Sequence, residues 1–347
     1  MIGNKQIPRL AKDIGEQVSR YLDTLTKPQG SLGRLEKLAI DLAEMTGDPF
    51  PSVTPPGVLV FAADHGVTEE GVSAYPKEVT AQMVLNFLEG GAAINVLSRQ
   101  IAAKFAIVDV GVAMEVDGNG LIKRKVRAGT ANFCKEDAMA EEEVLQALKV
   151  GEEEASQLID QGVKCLMVGE MGIGNTTSAS ALLSVLSGRN LNELVGPGTG
   201  ITPERMEHKR QVIERAVAER NPNRHDPIDV LSKLGGLEIA AMAGAMLESA
   251  RKRIPIILDG FICTVAALIA REIDARVSEY VIAGHRSAEP GHLAALEQLG
   301  KQPILDMEMR LGEGSGAVLA FPVVEAATRI VREMATFSQA GVSEKRE

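Results

Sequence analysis

The chain's 347 residues, 45% of them hydrophobic, suffice for one large α/β domain with an appendage, or for two domains. A formal net charge of -10 argues against nucleic acid as a main partner, and 3% aromatics with no Trp leave little for bases to stack on. Cys134, Cys165 and Cys263 are an odd set without metal-ligand spacing, and the last two, in apolar surroundings, read as reduced buried thiols.

The N-terminal stretch "MIGNKQIPRLAKDIG" is polar and lacks the apolar core of a signal peptide. The longest suspicious apolar stretch, "IAAMAGAML", is too short to span a bilayer. The expectation is a soluble cytoplasmic protein with no membrane span. A turn, "TKPQGS", precedes a helical pattern from Ser31 to Met45. Apolar or β-branched runs then alternate with helical patterns: "GVLVFAADHG" (57–66), "FAIVDVGV" (105–112), "VKCLMVGEMG" (163–172), "IPIILDGF" (254–261) and "YVIAGHRS" (280–287). This alternation predicts βαβ units around a parallel sheet buried on both faces.

Between the runs, residues 176–186 read as a helix that Thr176 and Thr177 could cap. The small residues of "GGLEIAAMAGAMLESARKR" (235–253) suit a helix packed tightly against a neighbour. At the C-terminus, residues 314–337 are apolar on one face, with Pro322 expected to bend the helix, and the tail "SQAGVSEKRE" should fray. The fold expected is α/β. An open, mostly parallel, Rossmann-like sheet flanked by helices takes residues 50–305, and a small helical domain is built from both termini, 1–49 and 306–347.

Every run stops at glycine beside a polar residue: Asp64-His65-Gly66, Asp109 and Gly111, Gly169-Glu170, Asp259-Gly260, Gly284-His285. Ligands of open parallel sheets bind outside the carboxyl ends of the strands. These ends therefore predict one shared rim.

"GEMGIGNTTSASALL" (169–183) matches the phosphate-loop spacing through Gly169, Gly174 and Thr176, but Asn175 stands where the lysine belongs. Gly172 and Gly174 can bring backbone N–H groups to an anion; the missing lysine suits a monophosphate better than a triphosphate. Lys209 could supply a cation from elsewhere. A dinucleotide fingerprint would need an acid about 20 residues on, and Glu193 falls in the loop-like "RNLNELVGPGTG". A plain strand-to-helix turn is the bland alternative. In "MRLGEGSGA" (309–317), Glu313 between two glycines could be presented into a cleft, or could mark a surface turn. "AGHRSAEPGH" (283–292) places His285, Ser287, Glu289 and His292 together; a phosphate-binding loop using Ser287 fits better than zinc, since no metalloprotease pattern or cysteine pair accompanies the histidines.

Taken together and in order, "TKPQGSLGRLE", "AADHGV", "GVSAYPKEVTAQM", "GEMGIGNTTSASAL", "GPGTG", "LDGFICTVAAL", "AGHRSAEPGH" and "MRLGEGSGA" strongly resemble the nicotinate-nucleotide–dimethylbenzimidazole phosphoribosyltransferase family. The likeness runs from about Lys27 to Phe321. It implies transfer of phosphoribose from nicotinate mononucleotide to 5,6-dimethylbenzimidazole in cobalamin nucleotide-loop assembly, by a homodimer using neither metal nor bound cofactor. It also implies Glu313 as catalytic base and Glu170 as a second carboxylate. Substrate-binding roles fall to Gly172, Gly174, Asn175, Thr176, Lys209, Asp259, Ser287, Arg310 and Leu311, with Tyr75 and Gln82 at the acceptor-base pocket. The competing reading is an NAD- or other nucleotide-binding Rossmann-type protein.

Overall fold

The computed structural model describes residues 6–198 and 200–343. The first five residues of the polar N-terminal stretch, Thr199 of "GPGTG" and the last four residues of the tail lie outside the described residues.

Two helices open the fold, α1 (Lys12–Leu22) and α2 (Arg34–Thr46), the second ended by Gly47 in the left-handed conformation that favours glycine. Strand β1 (Pro56–Ala63) leads through a 3-10 turn (Gly66–Glu70) to α3 (Glu78–Glu89) and α4 (Ala93–Gln100). Next come β2 (Lys104–Gly111), β3 (Leu121–Lys123), α5 (Glu141–Asp160) and β4 (Cys165–Met171). The chain continues through α6 (Asn175–Ser187), α7 (Leu191–Leu194), α8 (Pro203–Arg220), α9 (Pro227–Leu234) and α10 (Leu237–Arg251). It then forms β5 (Ile256–Leu258), α11 (Phe261–Ile273), β6 (Val281–Ala283), β7 (His285–Arg286), α12 (Pro290–Leu299) and β8 (Leu305–Asp306). Helices α13 (Ser315–Glu333) and α14 (Phe337–Ala340) complete it.

Six strands pair in parallel in the order β3-β2-β1-β4-β5-β6. The order reverses direction at β1, so the crevice beyond the carboxyl ends of β1 and β4 is the switch point where such sheets bind ligands. Every residue of β1 is buried, as its continuous apolar run requires when helices cover both faces. Edge strand β3 was not legible: three residues carry no usable period. The run at 280–287 divides at Gly284, where a Cβ would crowd the Leu258 carbonyl and the Ala317 backbone; beyond it, β7 leaves the main sheet to pair with β8.

The expected close packing of 235–253 is met by α5. A Cβ on Gly151 would overlap the Ala241 carbonyl, and one on Gly244 the Leu148 carbonyl, so these backbones meet only because both positions are glycine. At the other end of the molecule, α2 packs on α1 and α13, and the chain ends are tied by Thr26 N–H to Ala335 O (3.0 Å) and Phe337 N–H to Thr24 O (2.9 Å). Pro322 lies inside the continuous helix α13. Among the described residues, no helix is long and apolar enough to cross a membrane.

Candidate active site

Beyond the carboxyl ends of β4, β5 and β6 lies a cavity of about 470 Å³. Its acidic wall starts at β4. Glu170 is the next-to-last residue of that strand, and the 312–314 loop lies directly across it: a Cβ on Gly169 would overlap the Glu313 carbonyl, and one on Gly312 would overlap Glu170 Oε1. The loop holds three successive left-handed residues, Gly312 (φ 88°), Glu313 (φ 65°) and Gly314 (φ 93°). Glycine takes this conformation freely, but glutamate does so at a cost that surrounding structure must offset. Asp259, just beyond β5, supplies the restraint. Its Oδ2 accepts from Gly314 N–H at 3.0 Å, and its Oδ1 from Gly316 and Ala317 N–H at 2.7 and 3.3 Å. These are the first backbone donors of α13, so Asp259 caps that helix and fixes Glu313 in one stroke.

Glu313 is buried, and its Oε2 accepts from the Ile94 N–H in the first turn of α4 at 3.4 Å. Burial raises its pKa, the Ile94 N–H opposes the rise, and the Asp259 charge adds to it. Glu170 is pushed well above the usual carboxylate range, by burial first and then by the charges of Asp259 and Glu238. The Asn175 amide and the Glu313 N–H, both against its carboxylate, pull the other way. Two neighbouring carboxyl groups with environments of different severity are the arrangement from which acid and base roles separate.

Below this wall sits a buried pair, His65 Nε2 and Glu238 Oε1 at 2.6 Å. A Cβ on Gly236 would overlap the His65 ring, and one on Gly172 would crowd both partners. The glycine-rich loop therefore rests on this pair.

A second part of the site brings cations close to the cavity, with Arg310 in its lining and Lys209 behind Thr176. Helix α6 begins at Asn175 behind Gly174 (φ 100°), and no side chain caps it. The expectation of a threonine cap is corrected: the helix starts earlier than expected, which places Thr176 and Thr177 inside the first turn. Thr176 Oγ1 instead accepts from Lys209 Nζ at 2.9 Å. Lys209, on α8, is buried, which lowers its pKa to about 8, while the Glu289 charge works against the fall. Arg310 donates to Gly198 O at 2.8 Å. Ser287 is held by its N–H donating to His292 Nδ1 at 2.7 Å, while His292 Nε2 meets Thr264 Oγ1 at 3.0 Å. Both ring nitrogens are thus engaged within the protein. Burial and the nearby His285 and Arg286 depress the pKa of His292 to about 3, so it is a neutral structural clamp.

The cavity wall brings together Glu170, Gly172, Asn175, Thr176, Asp259, Ser287, Arg310, Leu311, Glu313 and Tyr75. Three expected residues stand apart from it. Gly174 packs instead toward Thr68 and His65, and Lys209 stands behind Thr176. Gln82 falls on the exposed stripe of α3 with Leu85, while Val79 and Met83, on the adjoining face, reach the cavity beside Tyr75. Glu193, the acid a dinucleotide site would need, sits in the short α7 rather than at a strand end, which removes the support for that reading. Sequence reasoning assigned no role to Glu289 or Gly198, nor to the apolar surface of Phe261 and Ile262, all of which line the cavity. Their signal lay in "AGHRSAEPGH", "GPGTG" and the glycine before Phe261.

A strand-end cavity that joins two buried carboxyl groups to Arg310, Ser287 and, behind Thr176, Lys209 has the residue types of a group-transfer site. A family model described as a phosphoribosyltransferase matches residues 7–342, and the chain belongs to that phosphoribosyltransferase family. A relative from Chloroflexus aggregans is 52% identical over 329 residues, covering 94% of this chain and 93% of its own. Another, from Halalkalibacterium halodurans, is 51% identical over 343 residues, covering 99% and 96%. Both carry the name nicotinate-nucleotide–dimethylbenzimidazole phosphoribosyltransferase. The crystal structure of CobT from Thermus thermophilus superposes with a TM-score of 0.93 at 47% identity, over 96% of this chain and 100% of that one.

Proposed function

We propose that this protein transfers phosphoribose from nicotinate mononucleotide to 5,6-dimethylbenzimidazole, giving α-ribazole 5′-phosphate and nicotinate for cobalamin nucleotide-loop assembly. The single observation that carries the reading is the placement of Glu313 on a restrained left-handed loop, against Glu170 and at the same cavity as the Lys209, Thr176 and Ser287 cradle.

In this reading the cradle takes the 5′-phosphate, where the open start of α6, the Thr176 and Ser287 hydroxyls and Lys209 offer donors and positive charge. The pyridinium ring leaves from the anomeric carbon as a neutral ring, so its expulsion needs no Lewis acid. The benzimidazole nitrogen attacks from the opposite face, which inverts a β-nucleotide to an α-product. As the new bond forms the acceptor becomes cationic and must lose its other N–H proton, which Glu313 takes. Its raised pKa makes it the more basic when ionised. Glu170, pushed further toward its protonated form, orients Glu313 and Asn175 instead of competing for the proton. Tyr75, Val79 and Met83 offer a flat apolar surface for an aromatic acceptor, with Leu311 nearby. We further propose that the protein is a cytoplasmic homodimer in which residues 50–305 form the large α/β unit, the Arg310–Glu313 segment of the C-terminal part completes its site, and the two chain ends form a helical unit.

The test is release of nicotinate from nicotinate mononucleotide on addition of dimethylbenzimidazole, in EDTA and without NAD or pyrophosphoryl ribose. Turnover under those conditions is expected. Its absence, with nicotinate release restored by magnesium and pyrophosphate, which would take the phosphoribosyl group to form pyrophosphoryl ribose, would place the protein in another phosphoribosyl-transfer class.

A further inference from the structure

Glu289 is a carboxylate inside a cradle otherwise suited to an anion. It is 6% exposed and lines the cavity. Its Oε2 lies against Gly196, where a Cβ would overlap it, and the Gly198 N–H lies against the carboxylate. Its Oε1 is buried and has no hydrogen-bond partner among the described residues. The charged groups that face it are Lys209 from α8 and Arg310 from the segment before Gly312, whose hydrogen bonds go to Thr176 and the Gly198 carbonyl. On its own loop, the Glu289 N–H donates to Ser287 Oγ at 3.3 Å, His292 is neutral, and His285 turns to Asp259 at 3.4 Å.

A buried acceptor oxygen without a donor is costly and calls for a donor on the ligand. In an anion cradle, the donor that a bound phosphate can bring is its own P–OH. A phosphate monoester has a second pKa of about 6, so that proton is within easy reach near neutral pH; sulfate carries none there. Charge points the same way. Lys209 and Arg310 balance an ionised Glu289 together with a phosphate monoanion, whereas a dianion beside an ionised Glu289 leaves uncompensated negative charge in a poorly solvated site.

Resting on the phosphate-cradle reading above, we propose that Glu289 and the substrate's phosphate share one proton, so that the cradle selects phosphate monoesters over anions that bring no proton. For sulfate to bind, Glu289 must take up a proton unaided or be repelled.

The test is displacement of nicotinate mononucleotide by inorganic phosphate and by sulfate, at pH 7 and matched ionic strength. Phosphate is expected to bind the native protein at least about tenfold more tightly than sulfate, with sulfate gaining as pH falls. Glu289→Gln, whose amide can donate to either anion, should bring the two within about threefold. The native comparison needs no variant and decides the matter even where Glu289→Gln fails to fold. Equal binding of both anions to the native protein overturns the proposal, as does an unchanged ratio in a folded Glu289→Gln. Where both anions displace nucleotide without discrimination, and Lys209→Ala weakens both, the cradle stands and only the role of Glu289 falls. Should neither anion compete while Lys209→Ala binds nucleotide normally, the cradle reading fails and takes this proposal with it.

Discussion

On the acidic wall of the cavity the chemistry is placed by backbone, whereas the cations near it are placed by long side chains arriving from a distance. Glu313 is fixed by three left-handed residues, by the Asp259 cap on α13 and by contact with Gly169 of β4. Lys209 reaches Thr176 from α8, and Arg310 reaches Gly198 from the segment before the loop. The difference matches the roles proposed for the two groups of residues. Proton transfer demands a carboxylate held to a fraction of an ångström, which strands and capped helices supply. Anion binding asks mainly for charge and donors within hydrogen-bond reach, which a lysine on its stem provides.

The contrast makes separable predictions, and the largest concerns Glu313. Glu313→Gln keeps the shape and a hydrogen bond but cannot accept the acceptor's proton. Turnover should fall by roughly 10²–10⁴-fold with nucleotide affinity little changed, and Glu170→Gln should be milder. Near-normal turnover in a folded Glu313→Gln would remove it as base and erase the contrast.

Gly169→Ala probes the backbone placement without touching a reacting group. Its Cβ would overlap the Glu313 carbonyl and push the loop off β4. A displacement of that order is expected to cost roughly 10²-fold in turnover, again with nucleotide binding preserved. Full activity with circular dichroism unchanged would show that the loop tolerates movement.

Lys209→Ala should do the reverse. Loss of one buried charge-assisted contact suggests roughly 1.5–3 kcal/mol, read as a raised Michaelis constant for the nucleotide with turnover at saturation nearly intact. Lys209 also gives a gentler pH effect. Burial lowers its pKa to about 8, so the cation is present below that value and lost as pH rises through it. Nucleotide affinity should decline above about pH 8, and that limb should vanish in Lys209→Ala. An unchanged constant in the variant would take Lys209 out of the cradle.

How much of this the sequence disclosed follows the same division. The strands of the central sheet other than the edge strand β3 were legible because each apolar run ends at glycine beside Asp, Glu or His, and the carboxylates Glu170 and Asp259 stand at two of those ends. The small-residue helix α10 announced its close packing, though not that α5 was the partner. Side-chain reach was harder to read. Nothing in the local pattern around Lys209 distinguishes it from a solvated helix lysine; the missing phosphate-loop lysine made it a candidate cation, and the family resemblance gave it a substrate-binding role. His65 and Glu238 are 173 residues apart, and no local period links them. Gln82 shares a motif with Tyr75, but helical rotation turns it to the exposed stripe while Val79 and Met83 face the cavity. Glu289 was visible within its motif; its unpartnered oxygen shows only once Gly196, Gly198 and Lys209 are folded around it.

The most direct measurement of the site is a crystal structure with nicotinate mononucleotide bound. The account predicts the 5′-phosphate at the start of α6, within hydrogen-bond distance of Lys209 or Ser287. The anomeric carbon should lie toward Glu313, with open space on the face opposite the pyridinium ring. A phosphate seated away from Thr176, Lys209 and Ser287, or an anomeric carbon turned away from the Glu313 loop, would contradict it.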